Sequence, residues 1–141
     1  MFQNILVPVD LTDKNLRAIE TARDLALETG GRLTFLHVIE TLDLPFDELA
    51  SFYERLEKEA VSRMAELAEP VVAADVEVGQ RIEYGKRAEQ IVKFAEREAV
   101  ELIILNSHRV KLEDPGSGWA TLSYKIAILA QCPVLLVKGL S

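Results

Sequence analysis

Asp75-Val76-Glu77-Val78-Gly79-Gln80-Arg81-Ile82-Glu83-Tyr84 is the stretch on which the fold turns. Val76, Val78, Ile82 and Tyr84 alternate with Asp75, Glu77, Arg81 and Glu83, the period-two pattern of a strand with one face in solvent. Upstream, Phe2–Val9 is a short β-rich run stopped by Asp10, and Arg32–Ile39 reads as a second strand. Downstream, Glu101–Leu105 reads as a buried strand, and Pro133–Val137 is apolar throughout. Amphipathic stretches separate these runs. Lys14–Thr29 places Leu16, Ile19, Ala22 and Ala26 at helical spacing and ends on Gly30-Gly31, a C-cap signal. Asp47–Glu69, bounded by Pro45 and Pro70, carries Phe46, Leu49, Phe52, Tyr53, Leu56, Ala60, Met64 and Leu67 on one stripe. A third helix follows Gly85 with Ala88, Ile91, Val92 and Ala95 inward, and Thr121–Ala130 forms the fourth.

Strand–helix alternation of this kind predicts an α/β fold, an open five-stranded parallel sheet with helices on both faces. Right-handed crossovers permit few strand orders. The half-exposed third strand belongs on an edge, which gives the order 3-2-1-4-5 and a reversal between strands one and four. Open α/β sheets bind ligands outside the carboxyl ends of the strands at such a reversal. Here those ends are Pro8-Val9-Asp10 and Leu105-Asn106-Ser107-His108, so the expected crevice lies between residues 8–12 and 106–121. With no repeat, linker or low-complexity segment, residues 1–141 are expected to form one domain.

The bulk properties narrow the function classes. The chain is acidic, with a formal charge of −7, which repels phosphate backbones and argues against nucleic-acid partners. Cys132 is the single cysteine, so an intramolecular disulfide and a cysteine-rich zinc site are excluded. The start, Met1-Phe2-Gln3-Asn4, lacks a basic leader, and no apolar run reaches the ~18–20 residues of a membrane span. A cytoplasmic location without membrane attachment is the expectation. The wholly apolar Pro133–Val137 on an outer edge invites pairing with a second copy, so a homodimer through that strand is expected. Coverage of the edge by the last residues of the same chain is the other reading.

The segments now in view resemble the universal stress protein family. The likeness is carried by Ile5-Leu6-Val7-Pro8-Val9-Asp10, Leu36-His37-Val38-Ile39, Tyr84-Gly85-Lys86-Arg87-Ala88-Glu89-Gln90-Ile91, Glu101–His108 and Cys132-Pro133-Val134-Leu135-Leu136-Val137-Lys138, in order along nearly the whole chain. The resemblance implies a stress-response regulator with an adenine-nucleotide α-hydrolase-like fold, binding ATP or AMP with Mg2+. Nucleotide-binding members usually carry G-x-x-G, nine residues, then G-[S/T] after strand four. Their glycines let backbone N–H groups approach phosphates at a helix start. This sequence has Asn106 and Arg109 at the first two glycine positions and Ala120-Thr121 at the last pair, with one extra loop residue. Gly116-Ser117-Gly118 beside Thr121 offers a displaced cradle, while Glu113 and Asp114 oppose a triphosphate.

The resemblance therefore implies a nucleotide site at Pro8, Val9, Asp10, Val38, Asn106, His108, Arg109, Gly116, Ser117, Gly118 and Thr121. The residues themselves admit other roles. Asp10 serves a ligand or the start of the first helix, with Thr12 or Asp13 as the actual cap. His108 is expected to tie down its loop, His37 to pack in the core, Cys132 to be inert, and Trp119 to anchor the loop. No nucleophile elbow, Walker loop or helical histidine pair is present, so no enzymatic activity is expected. The alternative function is a dimeric interaction protein that uses the 106–121 loop as a partner surface.

Overall fold

The computed structural model describes residues 1–41, 45–108, 112–113 and 121–139, with the side chain of Phe46 outside that set. Five parallel strands, β1 (Asn4–Pro8), β2 (Arg32–Ile39), β3 (Val78–Tyr84), β4 (Leu102–Ser107) and β5 (Val134–Lys138), pair in the order β3-β2-β1-β4-β5. The helices are α1 (Leu16–Thr29), α2 (Phe46–Ala73), α3 (Arg87–Arg97) and α4 (Leu122–Leu129). The expected order and the edge position of the third strand are both present. No residue of β3 is fully buried.

Alternation along each central strand sorts the core into two layers. Ile5, Val7, Leu33, Phe35, Leu102 and Ile104 face α1 and α2, meeting Ile19, Ala22, Met64 and Val71. Leu6, Leu36, Val38, Ile103 and Leu105 face α3 and α4, meeting Ile91, Phe94 and Ile126. Both faces are covered, which is why β1, β2 and β4 read as near-continuous apolar runs. The turn from α1 into β2 uses its two glycines differently. Gly30 adopts φ 73 as the left-handed C-cap, whereas a Cβ on Gly31 would lie 2.6 Å from the Phe2 carbonyl oxygen.

Several boundaries depart from the sequence expectation. Pro70 does not end α2, which runs on to Ala73 and buries Val71 completely. Burial of that last turn against the sheet outweighs the hydrogen bond lost at proline. Leu16 is 44% exposed rather than inward, because the chain enters α1 through a 3-10 turn, Asp13–Asn15, that shifts the buried stripe to Asn15, Ala18, Ile19, Ala22 and Ala26. Phe52 is also exposed, while Tyr53, Ala60, Met64 and Leu67 hold the buried stripe of α2. β3 starts at Val78 rather than Asp75, since Asp75 turns the chain at φ 62.

Candidate functional site

The β1 end is built around one buried amide. Asn15 is fully buried, and its Oδ1 accepts from the Asp10 and Leu11 backbone N–H groups at 3.0 and 3.1 Å. Its Nδ2 donates to Asn106 Oδ1 at 2.8 Å, tying β1 to β4 across the point where the strand order reverses. Leu11 takes φ 72, a conformation that side chains disfavour. Arg63 of α2 holds it there: Nε donates to the Leu11 carbonyl at 2.9 Å, and a terminal nitrogen reaches Asp13 at 2.7 Å. Asp10 Oδ1 accepts from Thr12 N and Oγ1 at 2.9 and 2.6 Å, and Thr12 in turn caps the 3-10 turn. Of the two roles open to Asp10, capping belongs to Thr12.

Hydroxyl groups organise the β4 end. Ser107, nearly buried, lies 3.3 Å from Ser123 Oγ and receives a bond from Lys138 Nζ at 3.3 Å. Ser123 also lies 3.3 Å from Thr121 Oγ1. Thr121 is the N-cap of α4 and accepts from Tyr124 N at 3.3 Å. Side-chain oxygen at this position satisfies an N–H that the helix leaves unpaired.

These two ends enclose a crevice of about 240 Å³. Of the expected residues, Pro8, Val9, Asp10, Val38, Asn106, His108 and Thr121 line it. Arg109, Gly116, Ser117 and Gly118 lie outside the described residues, as do Asp114, Trp119 and Ala120. The wall also includes Lys14, Leu36, Arg87, Ile91, Leu105, Ser107, Leu122 and Ser123; Leu105 and Ser107 belong to the strand end expected at the crevice, and the others were not expected there. Leu36, Val38, Ile91 and Leu105 give the crevice an apolar part of its lining, and Asp10, Asn106, Ser107 and Thr121 give it a polar part. Arg87 has a signal in the sequence, four residues before inward Ile91 on α3. Asn15 shares the phase of Ile19, Ala22 and Ala26, but an amide carries no apolar signal.

One histidine differs from expectation. His37 is only half-buried, and its Nδ1–H donates to the Val9 carbonyl at 2.9 Å, which bonds β2 to the crevice wall. His108 is exposed at the end of β4. Cys132 is partly buried before β5, at the opposite end of the parallel strands. Burial pushes its thiol pKa up, the reverse of a reactive cysteine. Among the described residues no group of three or more His, Cys, Asp or Glu side chains is placed to hold a metal ion, and no helix is long and apolar enough to cross a membrane.

Comparison with known proteins agrees with this architecture. Residues 1–138 match the Universal stress protein family. Universal stress protein YxiE of Bacillus subtilis is 27% identical, covering 98% of this chain and 100% of the relative. A Thermus aquaticus universal stress protein is 33% identical, covering 98% of this chain and all of the relative. Among solved structures, universal stress protein UspA from Lactobacillus plantarum superposes with a TM-score of 0.81 at 22% identity, covering 96% and 97% of the two chains. A universal stress protein in complex with cAMP gives 0.73 at 17% identity over 98% of each chain. The Archaeoglobus fulgidus protein in complex with dAMP gives 0.72 at 18% identity, covering 98% of this chain and 100% of that one. The sheet order, the site at its reversal and the match over nearly the whole chain agree: this protein belongs to the universal stress protein family.

Proposed function

We propose that the protein is a cytoplasmic, non-enzymatic stress-response regulator that works as one homodimeric domain and binds an adenine nucleotide, ATP or AMP, in the crevice between β1 and β4. The observation that carries this reading is that one crevice is lined both by apolar Leu36, Val38, Ile91 and Leu105 and by polar Asp10, Asn106 and Thr121. A purine needs a flat apolar slot, and a ribose needs acceptors and donors beside it. The complexes of two structural neighbours with cAMP and dAMP support the choice of adenine. Mg2+ would arrive on the phosphates, since that ion keeps most of its water and takes few protein ligands. Asp10 is the carboxylate in the crevice that would meet it.

Adenosine, AMP and ATP with magnesium are each expected to raise the melting temperature, because a ligand that binds only the native state stabilises it by mass action. Flat calorimetric titrations with all of them at millimolar concentration would sink the reading. One observation favours the alternative, a dimeric interaction protein: Asn106 stands where the glycine pattern begins, and its side chain is already bonded to Asn15 at 2.8 Å. Stable capture of a protein partner by a chain that ignores nucleotide would decide for it.

A further inference from the structure

We propose that the groove beside the crevice, walled by Lys14, Arg17 and His108, is an anion site that takes the phosphate chain of a bound nucleotide. The base and sugar of that ligand rest on the adenine reading above; the anion site itself does not. The groove measures about 430 Å³ and shares Lys14, Asn106, Ser107 and His108 with the crevice, so the two spaces run together at the carboxyl ends of β1 and β4. Ligand sites commonly span roughly 300–1,000 Å³. The crevice, at about 240 Å³, lies below that range by itself, and the groove gives a ligand with phosphates room to extend.

Charge gives the extension its direction. The one carboxylate in the groove, Asp13, is held by Arg63 at 2.7 Å. Among the described residues no carboxylate forms an ion pair with Lys14 or Arg17. Lys138 adds an ammonium 3.3 Å from Ser107 Oγ, at the same end of the sheet. In a chain of net charge −7 this is a local reversal of sign, and an acidic protein focuses anions only where such a reversal exists. Lysine supplies a point charge and arginine a planar fork, the two side chains best suited to phosphate oxygens. Asn106 stands at the first glycine position with its side chain bonded to Asn15, so side-chain cations, rather than backbone N–H groups at that position, carry the anion.

The test titrates adenosine, ATP and inorganic tripolyphosphate into the wild-type chain, a Lys14→Ala/Arg17→Ala variant and a Lys93→Ala control. Lys93 sits on α3, paired with Glu89, outside both spaces. ATP and tripolyphosphate are expected to bind the double variant at least roughly tenfold more weakly, as loss of charged hydrogen bonds dictates, with adenosine weakened far less than either and the control unaffected. Tripolyphosphate binding without adenosine binding would keep the anion site and reject the adenine reading. Adenosine binding with no gain from phosphates would do the reverse. Equal ATP and tripolyphosphate affinity in the wild type and the double variant overturns the anion site. So does failure of the wild type to bind any phosphate. Both mutated side chains are exposed, and an unchanged melting temperature without ligand checks that the variant folds.

Discussion

Asn15 joins three segments that are distant in function though close in space. It satisfies two backbone N–H groups of a loop held at a disfavoured φ, and it bonds to the far wall of the crevice. Asn15→Ala would leave those N–H groups without an acceptor in a part-buried setting, at a cost of about 2–3 kcal/mol. A fall in melting temperature of roughly 5–10 °C is expected from that loss. Asn15→Asp keeps the Oδ1 acceptor but sets an oxygen against Asn106 Oδ1 and buries a carboxylate, so it is expected to destabilise as well. A cost below about 0.5 kcal/mol for the alanine variant would show that the amide is not what holds the loop. The sequence shows Asp10 and Asn106 as crevice residues because strand ends can be located from hydrophobic runs. It hides Asn15 because a polar side chain at a buried phase carries no apolar signal, and its partners are set only when β1 and β4 meet. Arg63 is hidden for a related reason: its reach to Leu11 and Asp13 spans ~50 residues of chain and depends on how α2 packs, which local pattern does not encode.

Element ends obey simpler physics, and they are where the sequence reading and the structure part most often. Pro70 punctuates α2 in the sequence, yet the helix continues because Val71 is fully buried and proline's cost is local. Leu16 fits the apolar stripe of α1 on paper, but the preceding 3-10 turn rotates it outward. The end of α3 offers a direct test. Glu98 is its C-cap, and Ala99, which follows, is exposed and sits at φ 53, where helices favour glycine. Its Cβ gains no burial in exchange for the strained backbone. Ala99→Gly is therefore expected to stabilise the chain by about 0.5–1 kcal/mol, the relief outweighing glycine's greater freedom when unfolded. Urea denaturation should show a higher midpoint with an unchanged slope. A lower midpoint would mean that unfolded-state entropy dominates there.

At the scale of the whole molecule, the topology is legible from a single contrast. The alternating residues of β3 mark one edge of the sheet, and right-handed crossovers leave little choice for the remaining strands. The same contrast exposes a tension at the other edge. β5 is apolar from Val134 to Val137, yet none of its residues is fully buried, and Leu135 is 41% exposed. α4, which packs on α3, β4 and β5, leaves Ile128 and Leu129 exposed at 66% and 52%. Apolar surface on an unpaired edge is a liability that a second copy would remove, provided the contact buries something near ~800 Å² on each side. The chain is accordingly expected to sediment at twice its 15.7 kDa mass. Leu135→Glu would place a carboxylate in the middle of that apolar contact, and desolvating a charge there costs more than a self-association of this size can supply. The variant should sediment as a single chain while keeping the wild-type affinity for tripolyphosphate, since Leu135 lies outside both ligand spaces. A wild type that is monomeric at micromolar concentration, or a variant that stays paired, would remove β5 from the interface.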